Sequence, residues 1–453
     1  MDMSTTVGKK KLVSLFDAGT FVEVGAYMKR NGEMTGVVCG YGAIDGKLVY
    51  AFSQDSDQSK GAVDALQAEK IAMLYGMALK NGAPVVGFFD SVGAKVLDGA
   101  SVMSAYGKLL RTVSDASGKI PQIAVISGVC AGMAATVAAM FDLTVTIKDK
   151  SSLFVNAPFL AGKDVGTTET VAANGLSSIE TENDEDAAAL VAKLIAMLPA
   201  NCDDILVAED SADDINRRVA VDGLSGKALI GEIADLGDFV EVGTKYAPEM
   251  VTGFAKIGGA SCAIVANDAG VNGGVITADG AKKAAKLIGF CDSFSIPIIT
   301  LVDSVGVESG AEAENAPLAA QLGKLAMAYA TADTAKITVV TGKAYGAAFT
   351  LMGSKALGAD IELALPESEI SVMAPASAVA FLWNDRITED KSRADLEDEW
   401  KKTCAAATEA AADGSIDDII DPAELRQRIC SAVYMLLMKY SNSPERKHCN
   451  LPL

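Results

Sequence analysis

Apolar residues recur along the chain at two alternating spacings. Residues 61–80, GAVDALQAEKIAMLYGMALK, place them at helical intervals, and Asn81-Gly82 supplies a C-terminal cap. The next stretch, PVVGFF at 84–89, is a short apolar run of the kind that forms a buried strand. A Gly-rich loop follows, and helical spacing returns over 100–116. Strand-like QIAVIS (122–127) then leads to a helix over 131–140 and a strand over 143–148. The same alternation appears later: helix 279–293, strand 296–302, helix 315–331, strand 336–341, helix 345–357 and strand 360–364. Strand–turn–helix alternation predicts right-handed βαβ units and a mostly parallel sheet under helices.

The two series are copies. LVSLFDAGTFVEVG (12–25) returns as LIGEIADLGDFVEVG (229–243), and NGAPVVGFFDSVGA (81–94) as FSIPIITLVDSVGV (294–307). MTGVVCGYGAIDGKLVYAFSQD (34–55) returns shortened as MVTGFAKIGGASCAIVAND (250–268), and IAVISGVCAGMAA (123–135) as ITVVTGKAYGAAF (337–349). Four blocks in one order define a duplication, so each half is one structural unit. The junction falls in the acidic, weakly periodic stretch 198–223, giving domains 1–215 and 216–453. The acidic run 177–188 reads as a solvated loop entering a helix. Near the C-terminus a helix is expected around 395–412, and Asp421, Pro422 and Glu424 form a helix start. The apolar SAVYMLLMKY (431–440) is too short to span a bilayer and reads as a buried or docking helix.

Composition narrows the chemistry. Half the residues are apolar and only 6% aromatic, which suits parallel strands buried under helices. A net charge of −20 excludes non-specific nucleic-acid binding. The eight cysteines show no metal spacing and read as reduced thiols of a cytoplasmic protein, free or peripheral to a membrane complex; no metal is expected. The single histidine, His448, lies five residues from the end. A Ser–His–Asp or Cys–His engine inside the fold is therefore excluded. Catalysis falls to carboxylates, backbone N–H groups or a cofactor.

SGVCAGMAAT (127–136) and TGKAYGAAFT (341–350) are twin turns where a strand ends and a helix begins. The first N–H groups of a helix have no internal partner, and small residues let a ligand approach them. Such a turn is suited to hold a developing negative oxygen without any ionisable side chain. Tight helix–sheet packing explains the same small residues, and the residues alone leave both readings open.

The sequence resembles the carboxyltransferase component of biotin-dependent acyl-CoA carboxylases and decarboxylases, the propionyl-CoA carboxylase β-subunit and methylmalonyl-CoA decarboxylase α-subunit group. The marks are GTFVEVG, GYGAIDGKLVYAFSQD, LKNGAPVVGFFDSVGA, KIPQIAVISGVCAG, PIITLVD, AKITVVTGKAYGAAFTLMGSKALGAD, SIDDIIDPAELRQRI and the terminal RKHCNLPL. The resemblance implies two crotonase-like domains of the ββα superhelix (ClpP/crotonase) type. The acyl-CoA thioester would sit on the first domain and biotin, borne by a separate carrier, on the second. Gly132 and Met133 would form the first oxyanion pair, and Ala347 and Ala348 the second. Gly93, Ala94, Ala131, Gly346 and Thr350 are the flanking candidates for substrate contact.

It further implies that biotin supplies the missing base. Expected partners are a biotin carboxyl carrier protein and a biotin carboxylase or membrane decarboxylase subunit, in a homodimer or trimer of dimers. The chain departs from the pattern at Ser59-Lys60-Gly61-Ala62, Asp90-Ser91-Val92-Gly93-Ala94-Lys95, Met133, Phe349-Thr350 and the rewritten segment after Pro158. Met133 is expected to border the acyl group and favour a compact one. Two readings remain: an active carboxyltransferase subunit, or a catalytically altered paralogue serving as scaffold. A hydratase ranks below both, because neither turn carries the carboxylates it needs.

Overall fold

The structure is a computed structural model that describes residues 6–30, 32–162 and 164–439; His448, Cys449 and the terminal RKHCNLPL lie outside the described residues. The chain divides into two compact units, Met1–Ile205 and Leu206–Leu453.

In the first unit the sheet runs, in spatial order, through strands Val22–Val24, Val37–Ile44, Lys47–Gln54, Val85–Ser91, Gln122–Ala131, Leu143–Ile147 and Ile179–Thr181. The first three pair antiparallel and the rest parallel. The second unit repeats this order with Phe239–Val242, Met250–Ile257, Ala260–Asn267, Ile298–Ser304, Lys336–Tyr345, Ile361–Ala364 and Asp418–Ile419. Each central strand outruns its sheet. Gln122–Ala131 extends four residues past the apolar run to pair with Ser152–Phe154, and Lys336–Tyr345 does the same with Glu369–Ser371. Those extensions cross a register shift after Phe89 and after Val302, so each strand bends before its turn.

Helices cover the parallel strands. Ala65–Asn81 starts on the Asp64 carboxylate, which accepts from Gln67 N–H, and stops at left-handed Gly82. Ala100–Ala116 has the expected bounds and buries Val102, Tyr106, Leu109 and Val113. The acidic run is more ordered than its charge suggests. Ile179–Thr181 is an edge strand, Ser177 and Ser178 are buried, and Asn183 caps the helix Asp184–Met197. The helix expected over 345–357 is only Ala347–Leu351 followed by a single turn at Lys355–Leu357, because Gly353 takes a positive φ against the Tyr329 ring. The stretch expected around 395–412 is two helices, Arg393–Cys404 and Ala407–Ala412.

The second unit is closed by a buried ion network. Arg426, on the helix Leu425–Leu436, is fully buried. Its guanidinium donates to Asp235 at 2.7 Å and to the carbonyls of Ile233 and Asp214, and lies 3.5 Å from Asp213. Asp235 also accepts the N–H groups of Gly258 and Gly259, so the network ties the last helix to the first hairpin. It also fixes 206–219 on this unit: Glu209 N–H donates to Gly259, and Asp213 pairs with Arg217. In the first unit Asp17 holds the corresponding hairpin at Asp45 and Gly46. Arg426→Met is expected to cost about 3–5 kcal/mol of unfolding free energy, because Asp235 is left buried and uncompensated. Chemical denaturation followed by fluorescence measures it. A loss under about 1 kcal/mol would show that water replaces the guanidinium.

Candidate active site

In the first unit the strand ends at Ala131 and the helix Met133–Ala139 begins one residue later. Gly132 joins them at φ 65°, ψ −132°, a conformation that L side chains avoid. Its N–H donates to the Phe154 carbonyl at 2.8 Å. In the second unit Gly346 joins Lys336–Tyr345 to Ala347–Leu351 at φ 57°, ψ −130°, and its N–H donates to Ser371 at 2.8 Å.

This twin bond decides which groups remain available. The glycine N–H is occupied by the neighbouring strand. The next two, at the first helical positions, have no carbonyl one turn behind them. These are the N–H groups of Met133 and Ala134 in the first unit and of Ala347 and Ala348 in the second. The sequence reading paired Gly132 with Met133; Gly132 instead plays the part of Gly346. Aligning CAGMAA with AYGAAF places Met133 on Ala347, so the internal repeat carried the register. Backbone N–H groups need no particular side chain. The Met133 side chain is half-buried and packs against the hydrophobic core.

The loop after the preceding strand lies beside each turn. Gly93 sits so close to Ala131 that a Cβ there would lie 3.4 Å from its carbonyl oxygen; at Gly306 and Tyr345 the figure is 3.7 Å. Val63 N–H donates to Gly93, and Lys95 N–H donates back to Val63, a parallel bridge opposite Ala94. In such a bridge the opposed residue's own N–H points away from its partner. Ala94 N–H is thus turned off Val63, and Val307 N–H is turned off Ile276 in the same way. Gly93, Ala94, Ala131, Gly132 and Met133 therefore come together in one unit, and Gly346, Ala347, Ala348 and Thr350 in the other.

The repeated Asp-Ser-Val-Gly explains how the loop is aimed. The buried Ser91 hydroxyl accepts from Gly93 N–H at 3.1 Å, and Ser304 accepts from Gly306 N–H at 3.2 Å. The aspartates anchor the strand ends by filling space that only glycine leaves. A Cβ on Gly128 would lie 2.2 Å from Asp90 Oδ1, and one on Gly342 2.3 Å from Asp303 Oδ1. The two carboxylates differ in their partners. Lys11 Nζ lies 3.3 Å from Asp90 and donates to Ser127 at 2.8 Å. Asp303 accepts instead from Lys343 N–H, and burial raises its carboxyl above the ordinary value despite that bond. Lys11 was invisible in the sequence, because it lies in the first helix, 79 residues from Asp90.

The second turn borders a cleft, and a first-unit cleft begins just past its turn, at Ala135. The second-unit cleft, about 770 Å³, has Ala347 and Thr350 at its edge and Phe349, Ile370 and Trp400 among its walls. The first-unit cleft, about 440 Å³, runs between Ala135, Thr136, Phe154, Val155 and Val165. Among the described residues no group of three or more His, Cys, Asp or Glu is placed to hold a metal ion.

Residues 7–451 match the carboxyl transferase domain family. The chain belongs to that family. It is 36% identical to the methylmalonyl-CoA decarboxylase subunit alpha of Propionigenium modestum, over 98% of this chain and 93% of the relative. It is 34% identical to the propionyl-CoA carboxylase beta chain of Cereibacter sphaeroides, again over 98% and 93%. Among solved structures, the transcarboxylase 12S hexamer with methylmalonyl-coenzyme A and methylmalonic acid bound matches with a TM-score of 0.93 and 34% identity, over 99% of this chain and 93% of that one. The two units thus have the crotonase-like fold of carboxyltransferases. Among the described residues no helix is long and apolar enough to cross a membrane.

Ser91→Ala strands the buried Gly93 N–H and is expected to cost about 1–3 kcal/mol of stability. Ser304→Ala is its counterpart in the second unit. Urea unfolding of both variants checks this, and a wild-type midpoint in both would show that the hydroxyls do not hold the loops.

Proposed function

We propose that the protein is the carboxyltransferase component of a biotin-dependent acyl-CoA carboxylase or decarboxylase. The observation that carries the reading is the paired turn: one glycine N–H tied to a strand, and the next two backbone donors left for a ligand, in both units of a carboxyl transferase chain. We assign the thioester to the first unit and biotin to the second, with a short acyl group such as propionyl or methylmalonyl.

The second unit fits a neutral ureido ring. The cleft beside Ala347 is walled by Phe349, Ile370 and Trp400 with Glu409 and Asp413 also in its lining, and the donors at its edge are backbone rather than cationic. Biotin, when bound, supplies the carboxyl carrier and a basic nitrogen. The protein's own part is orientation and charge. Met133 and Ala134 N–H groups, with Ala94 beside them, hold the thioester oxygen as it takes on enolate character. Ala347 and Ala348 N–H groups hold the ureido oxygen. A backbone donor aimed at developing charge typically contributes about 3 kcal/mol to lowering a barrier.

Each unit offers one turn and the reaction uses one of each kind. The assembly proposed is therefore a homo-oligomer in which turns of different copies face one another. The relative solved as a hexamer supports this. The carrier protein and the carboxylase or membrane decarboxylase subunit are separate chains, and the working location is cytoplasmic. The scaffold reading gains nothing from Met133, since the N–H is retained and the side chain is packed against the core.

The test uses proline at the first helical position, where its ring is tolerated and the backbone N–H is lost. Methylmalonyl-CoA and free biotin are the substrates. Met133→Pro and Ala347→Pro are each expected to lower kcat by about 10²–10³. Ala347→Gly, which keeps the donor, should retain activity within about threefold. Equal rates in the proline and glycine variants would make the turns packing devices. A wild-type protein that turns over no short acyl-CoA with biotin would favour the scaffold reading.

A further inference from the structure

The duplication supplies its own control, and the units differ just behind the second turn. In the first unit the helix Met133–Ala139 runs directly into strand Leu143–Ile147. In the second, the shorter helix Ala347–Leu351 is followed by a longer connection through Lys355–Leu357 before strand Ile361–Ala364. The added segment ends against Glu362, which is fully buried. Thr144 is its counterpart: it stands opposite Ala124 in the register, as Glu362 stands opposite Thr338. Thr144 N–H donates to the Ser178 hydroxyl and Ser178 N–H donates back to Thr144. Glu362 and Asp417 exchange the same two bonds, Glu362 N–H to the Asp417 carboxylate and Asp417 N–H to the Glu362 carbonyl. A neutral pair in one unit has become two carboxyls in the other.

The Glu362 side chain is only half satisfied. Oε2 accepts Lys355 N–H, at the start of the added turn, while buried Oε1 has no hydrogen-bond partner. From Lys355 a chain of bonds leads back to the oxyanion turn. The Ser354 hydroxyl donates to the Thr350 carbonyl at 3.1 Å, and Met352 N–H donates to Ala348 at 3.1 Å. Gly353 is pinned from beneath by the Thr338 hydroxyl.

We propose that Glu362 is a positioning residue for the second oxyanion turn, a protonation-dependent latch that holds segment 352–359 and through it the helix bearing Ala347 and Ala348. The role assigned to the turn rests on the carboxyltransferase reading. The charged groups facing Glu362 are Lys355, from the added turn, and Asp417, from the segment before strand Asp418–Ile419; Thr338 on the adjacent strand is uncharged. Burial pushes the Glu362 carboxyl up to about 7; the Lys355 N–H bond opposes this, Asp417 adds to it and the Lys355 ammonium opposes it. Burial raises the Asp417 carboxyl too, but the bonds from Lys355 and Glu362 N–H hold it below its ordinary value, so it stays ionised.

The sign follows. A carboxyl raised by folding contributes stability below its unfolded value and loses it as pH rises through its folded value, here about 7. Above that pH an ionised Glu362 lies beside ionised Asp417 with one oxygen unpartnered. The latch is closed when Glu362 is protonated and loosens when it ionises.

The test uses the full chain. Hydrogen–deuterium exchange, read as protection factors over 347–360, compares wild type, Glu362→Gln and the double variant Glu362→Thr/Asp417→Ser, which installs the first unit's pair. Between about pH 6 and about pH 8.5, wild-type protection should fall about tenfold, while both variants should change less than about twofold. In carboxyl transfer from methylmalonyl-CoA to free biotin, the ratio of Glu362→Gln to wild-type kcat should rise at least about threefold over that range. The thioester KM should not move. Equal wild-type protection at both pH values, or the same pH dependence in Glu362→Gln as in wild type, overturns the proposal. If wild type transfers no carboxyl group at any pH, the carboxyltransferase reading fails; the exchange measurement still decides the latch.

Discussion

The bond from a glycine N–H to the carbonyl of a neighbouring strand sets which backbone donors each unit leaves free. Gly132 to Phe154 and Gly346 to Ser371 are each 2.8 Å long. The bond requires that the central strand run past its sheet to a short extra partner, and that the chain then turn through a positive φ. Those two requirements fix where the helix starts. The available N–H groups are therefore consequences of strand pairing. Preorganisation of this kind means that the donors do not have to reorient during reaction.

Around that constraint the duplicated units separate what is obligatory from what is replaceable. Ser91 and Ser304 hold their loops alike, and Asp90 and Asp303 fill the same gap beside a glycine. The charge balance is not kept: Asp90 has Lys11, whereas Asp303 relies on a backbone N–H. The closing of each unit also differs. Asp17 holds the first hairpin turn, while Asp235 holds the second together with a buried arginine that reaches it from the far end of the chain.

Much of this was legible in the sequence because it is local or repeated. The helix Ala100–Ala116, the Gly82 stop, the parallel order and the duplication follow from apolar spacing and turn residues within short windows. What escaped depends on distant partners. The last four residues of strand Gln122–Ala131 are Val129, Cys130 and Ala131 with Gly128, and small residues there suggest a turn until Ser152–Phe154 is available to pair. The edge strand Ile179–Thr181 sits inside an acidic run whose charge argues for solvent, yet Leu143–Ile147 recruits it. The bond that ties the Gly132 N–H to Phe154 likewise depends on a strand that lies distant in the sequence. Lys11, Arg426 and Glu362 act on groups far away in the chain or in ways that no local pattern encodes.

A site built from backbone has a further consequence for how this chain is read against its family. Where a side chain carries the chemistry, a substitution at a site residue removes the function. Here a substitution leaves the donor in place unless it is proline, and its effect depends on where the new side chain goes. The Met133 side chain is half-buried and packs against the core. Phe349 and Thr350 border the cleft beside Ala347 and shape what can approach it. These two departures thus fall on the walls of the second-unit cleft and not on a backbone donor. The donors themselves are protected by the strand that each glycine must bond.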